Sequence, residues 1–436
     1  MTTMKICASR FVAGPFTLGR VLLRQICYGP LTRREEVVLA FVDSESELLG
    51  EHSARPLSLA VGQDQRTRHF SANHLRFLCH AVASIIEERA GLAALELQVC
   101  HLAHSDETDR ELVDVLRARA AFRGVADPVT IDVSPDHDQG APTTEPAALR
   151  RLLADATAKG FYSAAIAYGH ELFSQWHMPA SYDPGFHAST RGLARALTAV
   201  GRADDALIVH RRLLDHWNHP WVAATSYYAI AMLHARHLGG ERRDVDKAVE
   251  ALGQAFAATE RLDDARQRSY YRAFLKNGMA FLEVRRGDIN AAVQHMEGDL
   301  RALDEELADL SELQHRVVAR NNRATLRLHL GQLDGALDDL DFVVSRDPYT
   351  AEYRMERALV LHQAGRVNDA LADLDFAIDH CVTGPEAYHN RAIIRRELGL
   401  LDQSLDDLRF GQHLDPTDDE IGRDLRRALQ GAGAHA

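Results

Sequence analysis

Small and apolar residues recur along the C-terminal part of the chain with a period of 34 residues. The repeated positions are Ala324, Ala358 and Ala392; Gly331, Gly365 and Gly399; Leu337, Leu371 and Leu405; Leu340, Leu374 and Leu408; and Phe342, Phe376 and Phe410. A fixed period of this length is typical of an array in which each unit buries its apolar face against the next unit. The pattern therefore predicts a repeat protein over this region.

The order of residues inside each unit indicates a helical hairpin. A small residue such as Ala324 allows two antiparallel helices to approach closely, and a second small residue, Ala336, follows on the next helix. Between them, Gly331 supplies the backbone freedom that ends the first helix. Proline near the end of the unit, as at Pro348, prevents the second helix from continuing.

The same order of residues can be followed upstream with longer connections. Units are predicted around Ala194, around Ala280 and, in a degenerate form, around Gly160. A further unit over residues 227–260 has a first turn lengthened by residues 239–243. We therefore expect about seven hairpins, followed by a polar helix that caps the stack.

This pattern resembles the tetratricopeptide repeat over residues about 146–418. The resemblance implies an all-α superhelical solenoid at 147–418, with residues 419–436 as a capping helix and frayed tail. It also implies a concave groove, lined by the first helix of each hairpin, that holds a protein or peptide partner. The groove positions of the family fall here on Lys276, Asn277, Phe281, Asn322, His329, His362, His389, Asn390 and Arg396. The alternative is that these side chains are only solvated.

Two other features of the repeats bear on ligand binding. The family's carboxylate clamp is not reproduced as a full set, which disfavours recognition of a chaperone tail. Arg323, Arg357 and Arg391 share the 34-residue period with Asp339, Asp373 and Asp407, so we expect a ladder of ion pairs between helices. Such a ladder is more often structural than functional, since exposed pairs contribute only about 0–1 kcal/mol each.

Residues 1–135 lack the period and predict a small α/β domain of unrecognised family. Expected strands lie at 5–12, 37–43, 57–61, 95–101 and 129–133. Expected helices lie at 71–90 and after Thr108, which forms a possible capping box with Glu111. Residues 136–146, rich in Pro, Gly, Asp and Thr, are the predicted linker.

Composition limits the function classes. The chain of 436 residues has a net charge of −13, which argues against nucleic-acid binding because phosphate contacts need a clustered basic surface. No apolar stretch is long enough to span a membrane, and arginines interrupt the N-terminal apolar residues, which excludes a signal peptide. Five cysteines without a CxxC pair suit reduced thiols in a cytoplasmic protein.

One cluster of the N-terminal domain resembles a chemical site: Cys100, His101 and His104 at a predicted strand end, with Cys79 and His80 on a predicted helix. A structural role is favoured, and a zinc site or a catalytic Cys or His are the alternatives. The sequence contains no phosphate-binding, nucleophile-elbow, metalloprotease or kinase motif. We therefore expect no cofactor and no bound metal.

Three functional hypotheses follow. The first is a non-enzymatic scaffold or adaptor whose groove holds a protein or peptide, with the α/β domain as a second contact or dimerisation module. The second is an enzyme or enzyme subunit whose α/β domain is catalytic and whose repeats recruit the substrate. The third is a peptide-sensing regulator. Homo-oligomerisation is left open.

Overall fold

The structure, a computed structural model, describes residues 2–7, 15–60, 70, 73–100, 102, 105–132, 145–239, 243–306 and 313–433. Residue contacts divide the chain into two units. The first unit contains residues 1–60, 73–142 and 344–436, and the second contains residues 61–72 and 143–343. Most of the predicted linker lies outside the described residues, which resume at Glu145.

The N-terminal region contains a three-stranded parallel sheet in the order β1-β2-β3. Its strands are β1 Thr2–Cys7, β2 Leu95–Cys100 and β3 Val129–Asp132. Cys7 pairs with Cys100 in register, and Cys100 pairs with Asp132. The strands predicted at 95–101 and 129–133 are confirmed. Parallel neighbours require helical crossovers, which the intervening helices provide.

Five helices connect and cover these strands. Their bounds are α1 Thr17–Ile26, α2 Arg33–Val42, α3 Leu57–Ala60, α4 His74–Arg89 and α5 Glu107–Arg123. The predicted helix at 71–90 is confirmed over its described residues. The strands predicted at 37–43 and 57–61 are wrong, because α2 and α3 occupy these positions.

The apolar run of α2 was mistaken for a strand because the last six residues of this helix are all buried. Every residue from Val37 to Val42 is buried, so no polar face interrupts the run. A capping box begins the helix: Thr32 Oγ1 accepts a hydrogen bond from the Glu35 amide, and Glu35 Oε2 accepts one from the Thr32 amide. This local signal, which precedes the apolar run, identifies a helix start.

The predicted capping box of α5 is also wrong in detail. The residue before the helix is Asp106, whose carboxylate accepts a hydrogen bond from the Thr108 amide at 2.9 Å. Thr108 instead faces the start of α1, where its hydroxyl accepts a hydrogen bond from the Phe16 amide at 2.6 Å. Phe16 has a φ of 60°. Among the described residues other than glycine, it is the one with a left-handed backbone conformation.

The remainder of the chain forms seven helical hairpins and a final helix, as expected. The hairpins are α6 Pro146–Lys159 with α7 Tyr162–Gln175, α8 Pro184–Ala199 with α9 Ala203–His216, α10 Pro220–Met232 with α11 Val245–Thr259, α12 Ala265–Arg286 with α13 Ile289–Glu306, α14 Leu313–His329 with α15 Leu333–Arg346, α16 Ala351–Gln363 with α17 Val367–His380, and α18 Pro385–Glu397 with α19 Leu401–Leu414; the final helix is α20 Asp419–Gly433. They are numbered hairpins 1 to 7 below. The predicted fold class, a helical repeat array preceded by a small α/β domain, is confirmed.

Glycine ends the first helix in six of the seven hairpins. The glycines have φ between 72° and 84°, a left-handed conformation that other residues adopt at a cost. They are Gly160, Gly201, Gly287, Gly331, Gly365 and Gly399. Hairpin 3 differs, because α10 continues into a π-helical turn, Leu233–His237, before a longer connection to α11. Of the lengthened turn predicted at residues 239–243, residues 240–242 lie outside the described residues.

Within the first unit, the α/β domain packs against hairpins 6 and 7. The Phe122 ring stacks on the His413 ring with centroids 4.2 Å apart. Arg76 Nε donates a hydrogen bond to the Leu414 carbonyl at 3.1 Å. No helix in the described part of the chain has the length and apolar character that crossing a membrane requires.

Candidate functional site

The first helices of hairpins 4 to 7 carry the predicted groove residues. Each of these helices turns a small residue inward, where it is almost fully buried against the hairpin's second helix: Ala280, Ala324, Ala358 and Ala392. The opposite face of each first helix is therefore directed away from the second helix, toward the expected groove. The predicted groove residues are divided between the two units.

In the second unit, Asn277 and Asn322 contact each other directly. Asn322 Nδ2 donates a hydrogen bond to Asn277 Oδ1 at 2.8 Å, which links the first helices of hairpins 4 and 5. Lys276 Nζ donates to the Gly298 carbonyl at 3.2 Å. Both asparagines are half-buried, so each retains amide atoms that can face a ligand.

The other two predicted residues of this unit have different surroundings. Phe281 lies between two guanidinium groups, with Arg236 at 4.0 Å and Arg285 at 5.4 Å from its ring centroid. Its face is therefore occupied by cations of the same chain. His329 is exposed at the end of α14.

In the first unit, a groove cavity of about 330 Å³ lies between the first helices of hairpins 6 and 7. His362 and Asn390 line this cavity, as the sequence predicted for the groove. Leu359 also lines it, and its side chain is 48% exposed. We call this cavity the hairpin 6–7 groove.

Two predicted residues of hairpin 7 lie outside the hairpin 6–7 groove. His389 is buried, and its Nε2 lies 3.1 Å from Asp424 Oδ2 on the cap helix α20. This hydrogen bond lowers the pKa of Asp424 and holds the cap against hairpin 7. Arg396 is exposed near the end of α18.

The predicted ladder of arginine–aspartate pairs is confirmed. Arg323 Nη2 lies 2.6 Å from Asp339 Oδ1, and Arg357 and Arg391 make the matching pairs with Asp373 and Asp407 at 2.7 Å. Each pair joins the two helices of one hairpin. The aspartates are buried, so these are not the weak exposed pairs considered from the sequence. They hold each hairpin together.

The cysteine and histidine cluster of the N-terminal domain is only partly described. His101 and His104 lie outside the described residues, and Cys100 is buried at the end of β2. Burial raises the pKa of the Cys79 thiol well above its usual value and lowers the pKa of His80 to about 3. Cys79 and His80 are thus uncharged at neutral pH. Within the described residues, no group of three His, Cys, Asp or Glu side chains is arranged to hold a metal ion.

The structure also contains a cavity that the sequence analysis did not select. It lies among the first helices of hairpins 2, 3 and 4, and Arg191, Arg195 and Arg236 line it. The available sequence signal was the spacing of Arg191 and Arg195, which places both on one face of α8. Arg236 belongs to another hairpin, and nothing in the sequence links it to that face.

The 34-residue period, the buried small residues and the left-handed glycines now coincide with consecutive helix pairs. The array is built of tetratricopeptide-type repeats. Arrays of this kind present extended concave surfaces. The α/β domain is not recognised.

Comparisons with known proteins gave structural similarities only. No protein-family model and no curated protein matches the sequence. A tetratricopeptide repeat protein from Parabacteroides merdae is 16% identical, with a TM-score of 0.40, over 65% of this chain and 98% of that chain. A thermophilic TPR protein of Thermus thermophilus is 19% identical, with a TM-score of 0.33, over 48% and 99%. YrrB, a TPR protein with an unusual peptide-binding site, is 17% identical, with a TM-score of 0.32, over 48% and 92%.

Proposed function

We propose that this chain is a non-enzymatic scaffold that holds a segment of a partner protein in the hairpin 6–7 groove. The observation that supports this proposal is the exposure of Leu359 inside a concave cavity. Because Leu359 is 48% exposed, leaving it in water forgoes about half of the 1.5–3 kcal/mol that full burial of a leucine side chain contributes. A partner that covers Leu359 would recover this energy.

The lining of the groove indicates what the segment contains. Met355, Leu359 and Ile393 provide an apolar floor that suits one apolar side chain of the partner. Glu352 and Glu356 lie on the same cavity and favour Lys or Arg beside that side chain. We therefore propose a ligand segment with an apolar anchor next to a basic residue.

Polar groups in the groove can fix the backbone of the segment. The Asn390 amide can both donate to and accept from a peptide group. His362 Nε2 lies 2.7 Å from Glu397 Oε2, so Glu397 holds the ring in place at the edge of the cavity. In the other unit, the Asn277–Asn322 pair offers a similar amide surface, and we propose it as a separate contact.

Other parts of the functional hypothesis stay proposals. Among the described residues, the buried cysteines Cys27, Cys79 and Cys381 form no disulfide, which supports a reducing compartment, and we propose the cytoplasm. The α/β domain is proposed as a second contact or dimerisation module. The enzyme hypothesis stays a prediction, since His101 and His104 lie outside the described residues.

Substitution of Leu359 by glutamate tests the groove. We expect this variant to lose at least nine-tenths of the partner that co-purifies with the wild-type chain, because a carboxylate would replace the apolar anchor point. Asn390→Ala should weaken binding of the same partner by about fivefold to tenfold, as one or two peptide hydrogen bonds are lost. Quantitative mass spectrometry of the co-purified proteins, followed by titration calorimetry with the purified partner, measures both effects.

Leu401→Glu is the matched control, because Leu401 is 62% exposed at the start of α19 and does not line the groove. Partner recovery should be unchanged in this variant, and both glutamate variants should melt within a few degrees of the wild type. If no co-purified protein depends on Leu359, or if Leu401→Glu reduces recovery equally, the hairpin 6–7 groove is not the binding site.

A further inference from the structure

The cavity among hairpins 2, 3 and 4 has a volume of about 130 Å³ and belongs entirely to the second unit. Side chains from α8, α10 and α12 line it, together with His210 from α9. Since a water molecule occupies about 30 Å³, this space holds a group of several non-hydrogen atoms. We call it the arginine pocket, after Arg191, Arg195 and Arg236.

The lining of the pocket is rich in cationic side chains. Its described lining includes three arginines and no aspartate or glutamate. Arg191 and Arg236 form no ion pair with any carboxylate of the described residues; Arg191 lies 5.8 Å from the centroid of the Trp221 ring, and Arg236 lies 4.0 Å from that of Phe281. Like charges that share a partly desolvated space repel each other, and a bound anion would relieve this repulsion.

The arginines of this pocket differ from the arginines at the repeated positions of later hairpins, which are paired with buried aspartates. In hairpins 5 to 7, Arg323, Arg357 and Arg391 each grip a buried aspartate with two nitrogens. The chain is acidic overall, with a net charge of −13, so carboxylates are abundant. Arg191 and Arg236 nevertheless line the same pocket, and neither is paired with an aspartate or glutamate among the described residues.

Two tyrosines add hydrogen-bond donors. Burial raises the pKa of Tyr228 and of Tyr271, so both hydroxyls keep their protons at neutral pH. Tyr228 and Tyr271 line the pocket together with the three arginines. Guanidinium and hydroxyl donors together match the oxygens of a phosphate or carboxylate.

His210 is a buried polar group that lacks a partner. It is 5% exposed and lines the pocket, and its Nδ1 has no hydrogen-bond partner in the described part of the structure. Burial, and then the charge of Arg191, lower the pKa of His210 to about 3, so the ring is neutral at physiological pH. Leaving a buried nitrogen without a hydrogen bond is unfavourable, and a ligand atom that bonds to it offsets that cost.

The backbone of hairpin 3 is irregular at the same place. The π-helical turn Leu233–His237 follows α10 and brings Leu233, Arg236 and His237 to the lining. Isolated π-helical turns are rare and occur frequently at functional sites. None of the other described helices of the array contains one.

The remaining wall of the pocket is aromatic and apolar. The Tyr228 and Phe274 rings lie 4.5 Å apart, and Met232 lies beside them on the lining. Gly278 leaves room for this wall, because a Cβ atom there would lie 3.1 Å from Tyr228 Cε2. The pocket thus has a cationic side and an apolar side.

We propose that the arginine pocket binds an organic anion, with a phosphate or carboxylate held by Arg191 and Arg236 and an apolar body against Tyr228 and Phe274. The anion is carried either by a free small molecule or by an acidic or phosphorylated side chain of a peptide. This site lies in a different unit from the hairpin 6–7 groove, and its test does not depend on that groove.

Titration calorimetry of the full chain with three probes tests the chemistry. Phenyl phosphate combines an oxyanion with a ring, inorganic phosphate has the oxyanion alone, and phenol has the ring alone. We expect phenyl phosphate to bind at least ten times more tightly than inorganic phosphate, and phenol to give no measurable binding. The affinity for phenyl phosphate should fall with added salt, since the contact is ionic.

Arg191→Gln and Arg236→Gln should each weaken phenyl phosphate binding at least tenfold. Arg212→Gln is the matched control, because Arg212 is exposed on α9 in the same unit and does not line the pocket; binding should be unchanged. The proposal is wrong if phenol binds as tightly as phenyl phosphate, if none of the three probes binds, or if both pocket variants bind like the wild type. The first two outcomes need only the wild-type chain, so a poorly folded variant cannot obscure the result.

A peptide probe distinguishes the two sources of the anion. N-acetyl-Ala-phosphotyrosine-Ala-amide carries the same phenyl phosphate group on a peptide backbone. Binding at least ten times tighter than that of phenyl phosphate indicates a peptide ligand, whereas equal or weaker binding indicates a free small molecule. Leu359→Glu should bind every probe like the wild type, which separates this site from the hairpin 6–7 groove.

Discussion

Replacement of Asp339 by alanine is expected to lower the free energy of unfolding by about 3–5 kcal/mol, the usual cost of removing one partner of a buried ion pair. The Asp339 side chain is 1% exposed and accepts hydrogen bonds from Arg320, Arg323 and Arg327 at 2.6–3.3 Å. Its removal leaves three guanidinium groups close together without their common counter-charge. Their mutual repulsion would separate α14 from α15, the two helices that the aspartate joins.

Urea unfolding followed by circular dichroism measures this effect. Asp338→Ala is the control, because Asp338 is the adjacent residue on the same helix but is exposed. Its midpoint should stay close to that of the wild type. Asp339→Asn, which keeps one acceptor oxygen but loses the charge, should fall between the two. Equal stability of Asp338→Ala and Asp339→Ala would show that the buried ion pairs do not hold the hairpin.

The same arrangement in hairpins 6 and 7 gives the repeats a common design. Asp373 accepts from Arg354 and Arg357, and Asp407 accepts from Arg391 and Arg395. Each of these aspartates meets two arginines, whereas Asp339 meets three. We therefore expect substitution of Asp373 or Asp407 to be less costly than substitution of Asp339.

These hairpins could be predicted from the sequence because their determinants are local. Gly331, Gly365 and Gly399 each adopt the left-handed conformation that the pattern required. The arginine–aspartate pairs lie 16 residues apart and belong to a single hairpin, so the period alone reveals them. In a repeat array each unit contacts mainly its neighbours, and short-range pattern therefore carries most of the structural information.

The α/β domain was harder to predict for a physical reason. The last six residues of α2 are buried on every face and have no polar stripe, so this apolar run resembles a buried strand. The capping box at Thr32 and Glu35 distinguishes the two, and it was overlooked. At α5, the capping box predicted at Thr108 and Glu111 does not form, because Asp106 precedes the helix and the Thr108 hydroxyl accepts a hydrogen bond from the Phe16 amide.

The candidate sites differ in the same way: the repeat pattern relates the residues of one site, whereas only the folded structure brings together the residues of the other. His362 and Asn390 were predicted because they occupy the same face of consecutive repeats, and both line the hairpin 6–7 groove. The arginine pocket was missed because Arg191 and Arg236 converge only when hairpins 2 and 3 stack. The packing of Phe122 on His413 likewise depends on contacts across most of the chain, for which the sequence has no periodic signal.

The second large effect concerns Asp109, which connects α5 to the start of α1. Its side chain is fully buried, and Oδ1 accepts a hydrogen bond from the Leu18 amide at 2.7 Å. Burial and then the charge of Asp106 raise the pKa of Asp109 from 3.8 to about 7, although the backbone amides and Arg20 oppose this shift. Asp109 is therefore protonated in the folded chain under mildly acidic conditions in which the unfolded chain has already lost the proton.

The sign of the pH dependence follows from this difference. The folded state binds the proton more tightly, so the stability that Asp109 contributes is complete below pH 3.8 and is lost as the pH rises to about 7. Asp109→Asn keeps an acceptor oxygen for the Leu18 amide and cannot ionise. We expect this variant to gain about 2–3 kcal/mol relative to the wild type between pH 5 and pH 8, at 1.36 kcal/mol for each unit of pKa.

Urea midpoints at pH 5 and pH 8, recorded for the wild type, Asp109→Asn and Asp114→Asn, decide whether this carboxyl is neutral in the fold. Asp114 lies on the same helix but is exposed, so its substitution should leave the wild-type pH dependence unchanged. Only Asp109→Asn should hold its stability as the pH rises. A constant difference between Asp109→Asn and the wild type at the two pH values would mean that Asp109 is already ionised at pH 5, with the Leu18 amide and Arg20 stabilising its charge against burial.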